Sequence, residues 1–312
     1  MNTAFSYTMD GKVSLYEFKG KNNVFKTIGL SGMGTGGKGL VGYKIFSATY
    51  NEITGRFSHA DSTIAPLFEI NNDGPEKYRT PGFENLGYTY SDVSFFNQSY
   101  SDNAGIQSRG VAVFGNGPGS KVSSIYMIDA ETGELLSEVV LNLDGGGALS
   151  PALVVEKDAS GLQRLSRAYV GDFSGNLYRL QFSNNLQPVV TKIFSIQTAK
   201  RSNPITMKPL VWKDRNDYWV YFGTGSILSK EDRGINSKEL QYAIGLKDIT
   251  NDMKSLDDLL KYDLEYGPEL DANVKSLSVS ISSDVKGSLS NGWYIPLQIK
   301  GEERLTGERI IS

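Results

Sequence analysis

The residues most suggestive of chemistry lie in "GLSGMGTGGKGLVGYKIF", positions 29–46. Gly32-Met33-Gly34-Thr35-Gly36-Gly37-Lys38 fills the opening positions of a phosphate-binding P-loop, and the segment also matches the looser G-x-G-x-x-G dinucleotide pattern. Both motifs need more than glycine. A P-loop requires Ser or Thr after the lysine to ligate Mg²⁺, and Gly39 stands there. Both also require a following helix whose first amides hold phosphate. Leu40-Val41-Gly42-Tyr43-Lys44-Ile45-Phe46 is β-branched and aromatic without helical spacing, and reads as a strand. The expectation is a solvent-facing connection between two strands over 31–39, with Lys38 binding no phosphate.

Other reactive constellations are sparse. His59 is the only histidine and lies in "GRFSHADSTIAP", which reads as a loop. A Ser-His-Asp triad would have to use it, and no G-x-S-x-G elbow occurs. A zinc site built from several histidines is excluded by number, and thiol chemistry by the absence of cysteine. Glu156, Asp158 and Ser160 alternate before Gly161, as oxygen ligands do in a calcium loop. Lys157 and Arg164 add positive charge there, and no late carboxylate follows. The local reading is a polar hairpin loop. Asp172-Phe173-Ser174-Gly175-Asn176 is a second acidic turn, accounted for by Asx-turn bonding.

The elements around these residues are β-rich. The chain has 312 residues, 34 of them Gly, with 17 Tyr and 14 Phe, a mixture that suits short strands, tight turns and aromatic packing between sheets. Net charge is −3, which offers no electrostatic case for nucleic acid or an anionic membrane. No apolar window of about eighteen residues spans a bilayer. A strand–turn–strand unit recurs in "FSYTMDGKVSLYEF" (5–18), "SSIYMIDAETGELLSEVVL" (123–141) and "RAYVGDFSGNLYRLQF" (167–182), with "YWVYFGTGSILS" (218–229) a weaker relative. Recurring hairpins with inserted loops, near 47–92 and 227–250, predict a β-propeller; a β-sandwich is the alternative. Met253, Leu256, Leu259 and Leu260 predict one short inserted helix over 251–263, capped by Asn251 or Asp252. The start, Met1-Asn2-Thr3-Ala4-Phe5-Ser6, shows no basic region followed by an apolar stretch, so no signal peptide is read. The strand-like Gly307–Ser312 favours a fragment of something longer over a complete cytoplasmic chain.

Several of these stretches, in order, resemble one family. "VAVFGNGPGSKVSSIYMIDAETGELL" (111–136), "LSPALVVEKDASG" (149–161), "AYVGDFSGNLYRLQF" (168–182) and "NGWYIPL…GERI" (291–310) are similar to the C-terminal domain of PilC/PilY-type proteins, the type IV pilus tip adhesins and assembly factors of Gram-negative bacteria. "PLFEI" (66–70), "LGYTYSD" (86–92), "KPLVW…YFGTGSIL" (208–228) and "YAIGLKD" (242–248) continue the likeness across essentially the whole chain. The resemblance implies an all-β, modified β-propeller with quinoprotein-like blades, here a single incomplete domain over 1–312. It implies a non-enzymatic role in pilus assembly and adhesion, with minor pilins and a host or abiotic surface as partners. It places the protein at the pilus tip, cell surface or outer membrane.

The resemblance also implies calcium between the Ser-Pro-Ala-Leu strand and the Tyr-x-Gly-Asp strand. The equivalent here is 156–164, with Glu156, Asp158 and Ser160 as the ligands on offer. Lys157, Ala159 and Gln163 replace acidic or Asn positions, so the expectation is no cofactor and no calcium at micromolar concentration. Two other classes stay open at this stage. One is a propeller-scaffold enzyme, a quinoprotein-like dehydrogenase or a carboxylate-based hydrolase. The other is an outer-membrane assembly scaffold.

Overall fold

The computed structural model describes residues 9–20, 23–102, 105–157, 162–183, 185–196, 203–215, 217–228, 240–271, 274–284 and 286–298. These form nineteen strands in four sheets, with short 3-10 turns and no α-helix among them. The first sheet holds β1 (Val13–Lys19), β2 (Val24–Gly32), β3 (Gly39–Asn51), β4 (Arg56–Asp61) and β5 (Ala65–Asn71). β4 pairs with the end of β3 and β5 with its beginning. The second runs in chain order through β6 (Ser94–Asp102), β7 (Gly105–Gly115), β8 (Ser123–Asp129) and β9 (Leu135–Asn142). The third does the same with β10 (Ala152–Lys157), β11 (Gln163–Gly171), β12 (Asn176–Gln181) and β13 (Val189–Ser195). The fourth has β14 (Leu210–Asp214), β15 (Asp217–Gly223), β16 (Tyr242–Asp248), the hairpin β17 (Leu260–Asp271) and β18 (Val274–Ile281), and β19 (Gly292–Pro296). Its spatial order is β14-β15-β16-β19-β17-β18, so the hairpin interrupts the chain between the neighbouring strands β16 and β19 and lies at the sheet's edge beyond β19. Four open sheets, each built on a four-stranded meander core, make an all-β, incomplete propeller.

The chain divides into two compact units, 1–170 with 179–190, and 171–178 with 191–312. In the first unit the core is aromatic and aliphatic. Phe18, Ile28, Leu30, Leu40 and Ile70 of the first sheet pack with Phe114, Tyr126 and Ile128 of the second, and Phe83 and Leu86 of the connection between them join the cluster. Tyr16 stacks on Phe95, ring centroids 4.8 Å apart and 6° from parallel. In the second unit Tyr218, Val220 and Phe222 of β15 are buried with Ile244 and Leu246 of β16, and Phe222 meets Phe194 at 5.4 Å.

Irregular connections are held by buried polar side chains. Asn116 is fully buried and saturated: its amide donates to Asn85 O and Val122 O at 2.8 Å, and its Oδ1 accepts from Ser124 N and Ala148 N at 3.1 and 3.0 Å. Asn72 donates to Glu84 O and Leu86 O at 3.1 and 2.8 Å. The backbones approach as closely: Gly87 N reaches Asn116 O, and Gly117 N reaches Ala148 O. Gly117 has φ +77, and a Cβ there would run into Tyr88 O.

Two expectations are corrected. The helix over 251–263 does not form: Leu256–Asp258 is one 3-10 turn, closed by a capping box between Ser255 and Asp258. Leu260 and Lys261 then pair in parallel with Trp293 and Tyr294, and that long-range ladder overrides the local helical spacing. The stretch 47–92 is not a loop up to residue 71, because β4 and β5 both return onto β3. Besides the short connections at 52–55 and 62–64, the strand-free part is 72–93, which holds a 3-10 turn at Glu76–Tyr78. Of the loop near 227–250, residues 229–239 lie outside the described residues, as does the first strand of the hairpin read over 5–18; Tyr242–Asp248 is β16. No helix among the described residues is long and apolar enough to cross a membrane.

Asn116→Ala removes the partner of two part-buried carbonyls and two buried amides. At about 1–3 kcal/mol per orphaned buried group the two amides alone set an expected loss of at least about 2 kcal/mol, or roughly 4 °C or more in Tm; an unchanged calorimetric Tm would refute the role assigned to Asn116. A second outcome follows from Tyr16, whose pKa burial pushes up to about 12. In the unfolded chain the phenol ionises near its ordinary ~10. Its contribution to stability is therefore whole below about pH 10 and is lost as pH rises towards 12. Urea midpoints at pH 9 and 11 should fall more steeply for the native chain than for Tyr16→Phe.

Candidate functional site

The glycine-rich segment joins β2 to β3 through one 3-10 turn, Gly34–Gly36. Its amides point at anions, as a phosphate loop's would, but the anions belong to the protein. Thr35 N donates to Asp10 Oδ1 at 2.7 Å and the Thr35 hydroxyl bonds Asp10 Oδ2. Lys38 N donates to Asp73 Oδ2 at 2.6 Å. Met33 N donates to Thr89 Oγ1, which itself donates to Gly39 O. The Lys38 ammonium lies 3.5 Å from Gly119 O and 5.7 Å from the Tyr88 ring centroid. A phosphate entering this turn would have to displace two carboxylates and lie against their charge. The turn is a clasp that ties the amides of Thr35 and Lys38 to Asp10 and Asp73. It is also less solvent-facing than expected, since Gly32, Gly34, Gly37 and Gly39 are buried and Thr35 alone is exposed. Gly34 has φ +58, and a Cβ on it would strike Asp10.

The calcium-loop candidate is the connection of the β10–β11 hairpin. Glu156 sits on β10, half-buried, directly across the ladder from Arg164, and Lys157 lies across from Gln163. Asp158 and Ser160 lie outside the described residues. Calcium is held by six to eight oxygens with acidic groups prominent among them. A carboxylate set directly opposite a guanidinium, flanked by Lys157, does not fit that donor set. Among the described residues no group of three or more His, Asp or Glu is placed to hold a metal. The same hairpin opens onto a cavity of about 550 Å³ in the first unit, lined by Phe96, Gln98, Tyr100, Leu162, Arg164 and Leu165 among others. Beside it, Arg109 donates Nε to Gln98 Oε1 at 2.9 Å and lies over the Tyr100 ring.

The remaining residues of interest are placed structurally. His59 is exposed on β4 with φ +52, its Nδ1 3.1 Å from Ser58 Oγ. Asp172 is fully buried and accepts from Ser174 N and Asn176 N at 2.9 Å, from the Asn176 amide, and from the Tyr178 hydroxyl at 2.9 Å. The Asx turn read from the sequence is there; the Tyr178 and Asn176 side chains close it. Sequence reasoning missed Asp10 and Asp73, which no motif spacing connects to the turn they clasp.

Two outcomes test the clasp. Isothermal titration with Mg-ATP or NAD should give no binding heat, and Lys38→Ala should change nothing; saturable heat lost in that variant would refute the assignment. Asp73→Ala leaves the Lys38 amide unpaired and should cost about 1–2 kcal/mol in urea unfolding.

Comparison with known proteins gives this architecture a family. A family model, the PilY1 beta-propeller domain, matches residues 2–256. A type IV pilus biogenesis factor PilY1 homolog of Xylella fastidiosa (strain Temecula1 / ATCC 700964) is 28% identical over 203 residues, which cover 64% of this chain and 16% of that protein. The crystal structure of the Pseudomonas aeruginosa PilY1 C-terminal domain superposes with a TM-score of 0.68 at 21% identity, over 95% of this chain and 63% of that one. The chain thus spans under a fifth of the curated relative's length and under two thirds of the solved domain's. With four open sheets built largely from sequential meanders, and a family match over most of its length, this chain belongs to the PilY1 β-propeller family.

Proposed function

We propose that this chain is a non-enzymatic propeller module of a type IV pilus biogenesis factor. It engages minor pilins at the pilus tip, supports pilus assembly and contributes to attachment to a host or abiotic surface. Its working location is the pilus tip, cell surface or outer membrane of a Gram-negative bacterium. The observation that carries this reading is the family match across residues 2–256. The use of the acidic groups agrees with it: Asp10, Asp73 and Asp172 are spent on turn amides, where an enzyme on this scaffold would need converging carboxylates to remain available.

The test is genetic and biochemical. Removing the segment coding for residues 2–256 from the native gene should reduce sheared surface pili and twitching, and re-supply should restore them. The purified chain should retain minor pilins on a column. Normal piliation in the deletion strain would overturn the assembly role, and failure to retain any minor pilin would overturn the tip contact.

Calcium has no regulatory part in this proposal. Glu156, Asp158 and Ser160 with backbone carbonyls form a sparse donor set, and affinity at such sites falls towards ~10⁻⁴–10⁻³ M. Titration at micromolar calcium should give no heat. A micromolar site abolished by Asp158→Ala would show that the loop binds calcium after all.

A further inference from the structure

The cavity of about 550 Å³ in the first unit lies between the end of β6, the β10–β11 hairpin and the connection from β12 to β13. Its size falls inside the range of about 300–1,000 Å³ typical of small-molecule sites. The β6 wall is one face of a sheet. Gln98 and Tyr100 lie two residues apart on β6 and therefore point to the same side. Arg109 of β7 stands directly across from Gln98 and shares that side.

These side chains form one pre-organised unit. Arg109 donates Nε to Gln98 Oε1 at 2.9 Å, and its guanidinium carbon lies 4.8 Å from the Tyr100 ring centroid. A guanidinium carries five N–H donors in a planar fork. Gln98 takes the Nε donor and the tyrosine ring covers one face of the plane. Neither takes the Nη1–Nη2 end, whose spacing matches the two oxygens of a carboxylate. Arg109 is half-buried, and among the described residues no carboxylate pairs with it. A partly desolvated cation gains by taking an anion. Gln98 is oriented as well. Its oxygen accepts from the guanidinium, so its amide nitrogen is left as a donor. A second guanidinium, Arg164, lines the hairpin wall with Glu156 across the ladder from it.

The rest of the lining is mixed. Leu162 and Leu186 supply apolar surface, while Ser183 and Asn185 supply neutral groups that both donate and accept. A wholly apolar ligand would leave the amides and the guanidinium without partners. Among the described residues no lysine and no glycine lines the cavity, so it lacks the parts of a phosphate loop. A hydroxylated ring that bears one carboxylate matches every group: the carboxylate meets Arg109, the hydroxyls meet the neutral side chains, and the C–H faces meet the leucines. We propose that this cavity binds an acidic monosaccharide unit, a hexuronate or a sialic-acid-type sugar, with Arg109 receiving the carboxylate and Gln98 and Tyr100 holding Arg109 in position. The assignment rests on the cavity alone and does not depend on the pilus role.

Titration calorimetry of the purified chain with galacturonate, glucuronate and N-acetylneuraminate tests it. Galactose serves as a ring without the carboxylate, and acetate as a carboxylate without the ring. The expected result is saturable binding of at least one acid sugar at about millimolar concentration. Galactose and acetate should bind about tenfold or more weakly by comparison. The sugar that binds distinguishes the hexuronate from the sialic-acid-type source. Arg109→Gln should lower the acid sugar's affinity about tenfold or more, and Arg109→Lys, which keeps the charge and loses the fork, should fall between. Asn185→Trp, at an exposed lining position, should block the cavity with Tm unchanged, which keeps the site testable if the Arg109 variants do not fold. Absence of binding by all three acid sugars would overturn the proposal. So would equal binding of galactose or acetate, or acid-sugar binding that survives Arg109→Gln or Asn185→Trp.

Discussion

The Asn116 side chain lies fully buried where separate strand connections converge, and its four hydrogen bonds reach backbone groups of residues 85, 122, 124 and 148. Residues 85, 122 and 148 lie in connections outside the strands and Ser124 lies near the start of β8; the Ser124 and Ala148 amides are buried and the Asn85 and Val122 carbonyls part-buried. A buried backbone group without a partner costs as much as a lost hydrogen bond, so each connection is stable only while the amide stays in place. Asn72 and Thr89 repeat the device on neighbouring segments. Polar side chains hold the connections, and apolar packing between sheets then has fixed surfaces to work on.

The same economy governs the carboxylates. Asp10 and Asp73 hold the glycine turn, and Asp172 holds the turn between β11 and β12 with help from Tyr178 and Asn176. Asp10 accepts from one turn amide and a hydroxyl, Asp73 from one turn amide and Asp172 from two, so each carboxylate is held in place by the turn it closes. The turn that most resembles a nucleotide site has its anion already built in. Substrate chemistry would need groups left unsatisfied, and in these turns the acids are satisfied by neighbouring backbone.

Hydrophobic burial is distributed differently in the two units. In the first, the opposed faces of two sheets share one core through Phe18, Leu40, Phe114 and Tyr126. In the second, one sheet carries a buried face with Tyr218, Val220, Phe222, Ile244 and Leu246, and a half-buried aromatic face with Trp219, Tyr221 and Trp293. The β17–β18 hairpin follows β16 in sequence but lies beyond β19 at the edge of the sheet, joined to it by a short parallel ladder, Leu260–Trp293 and Lys261–Tyr294.

Local sequence was enough for the hairpins whose partners are neighbours. "SSIYMIDAETGELLSEVVL" became β8 and β9, and "RAYVGDFSGNLYRLQF" became β11 and β12, because in each two short apolar strands flank a turn closed by a glycine at positive φ, Gly133 or Gly175, which turns the chain back onto its neighbour. The β character of residues 40–46, the all-β class and the propeller repeat were legible for the same reason. What depended on distant partners was not. The leucine spacing at 253–260 suits a helix as well as a turn and strand, and pairing with Trp293 and Tyr294 decided between them. Asp10 and Asp73 carry no mark in the sequence that joins them to Thr35 and Lys38, since a carboxylate finds an amide through folded geometry and not through spacing. Trp212, Trp219 and Trp293 share a face only because strand register sets which side of a sheet each residue takes, and register is a property of the paired strands together.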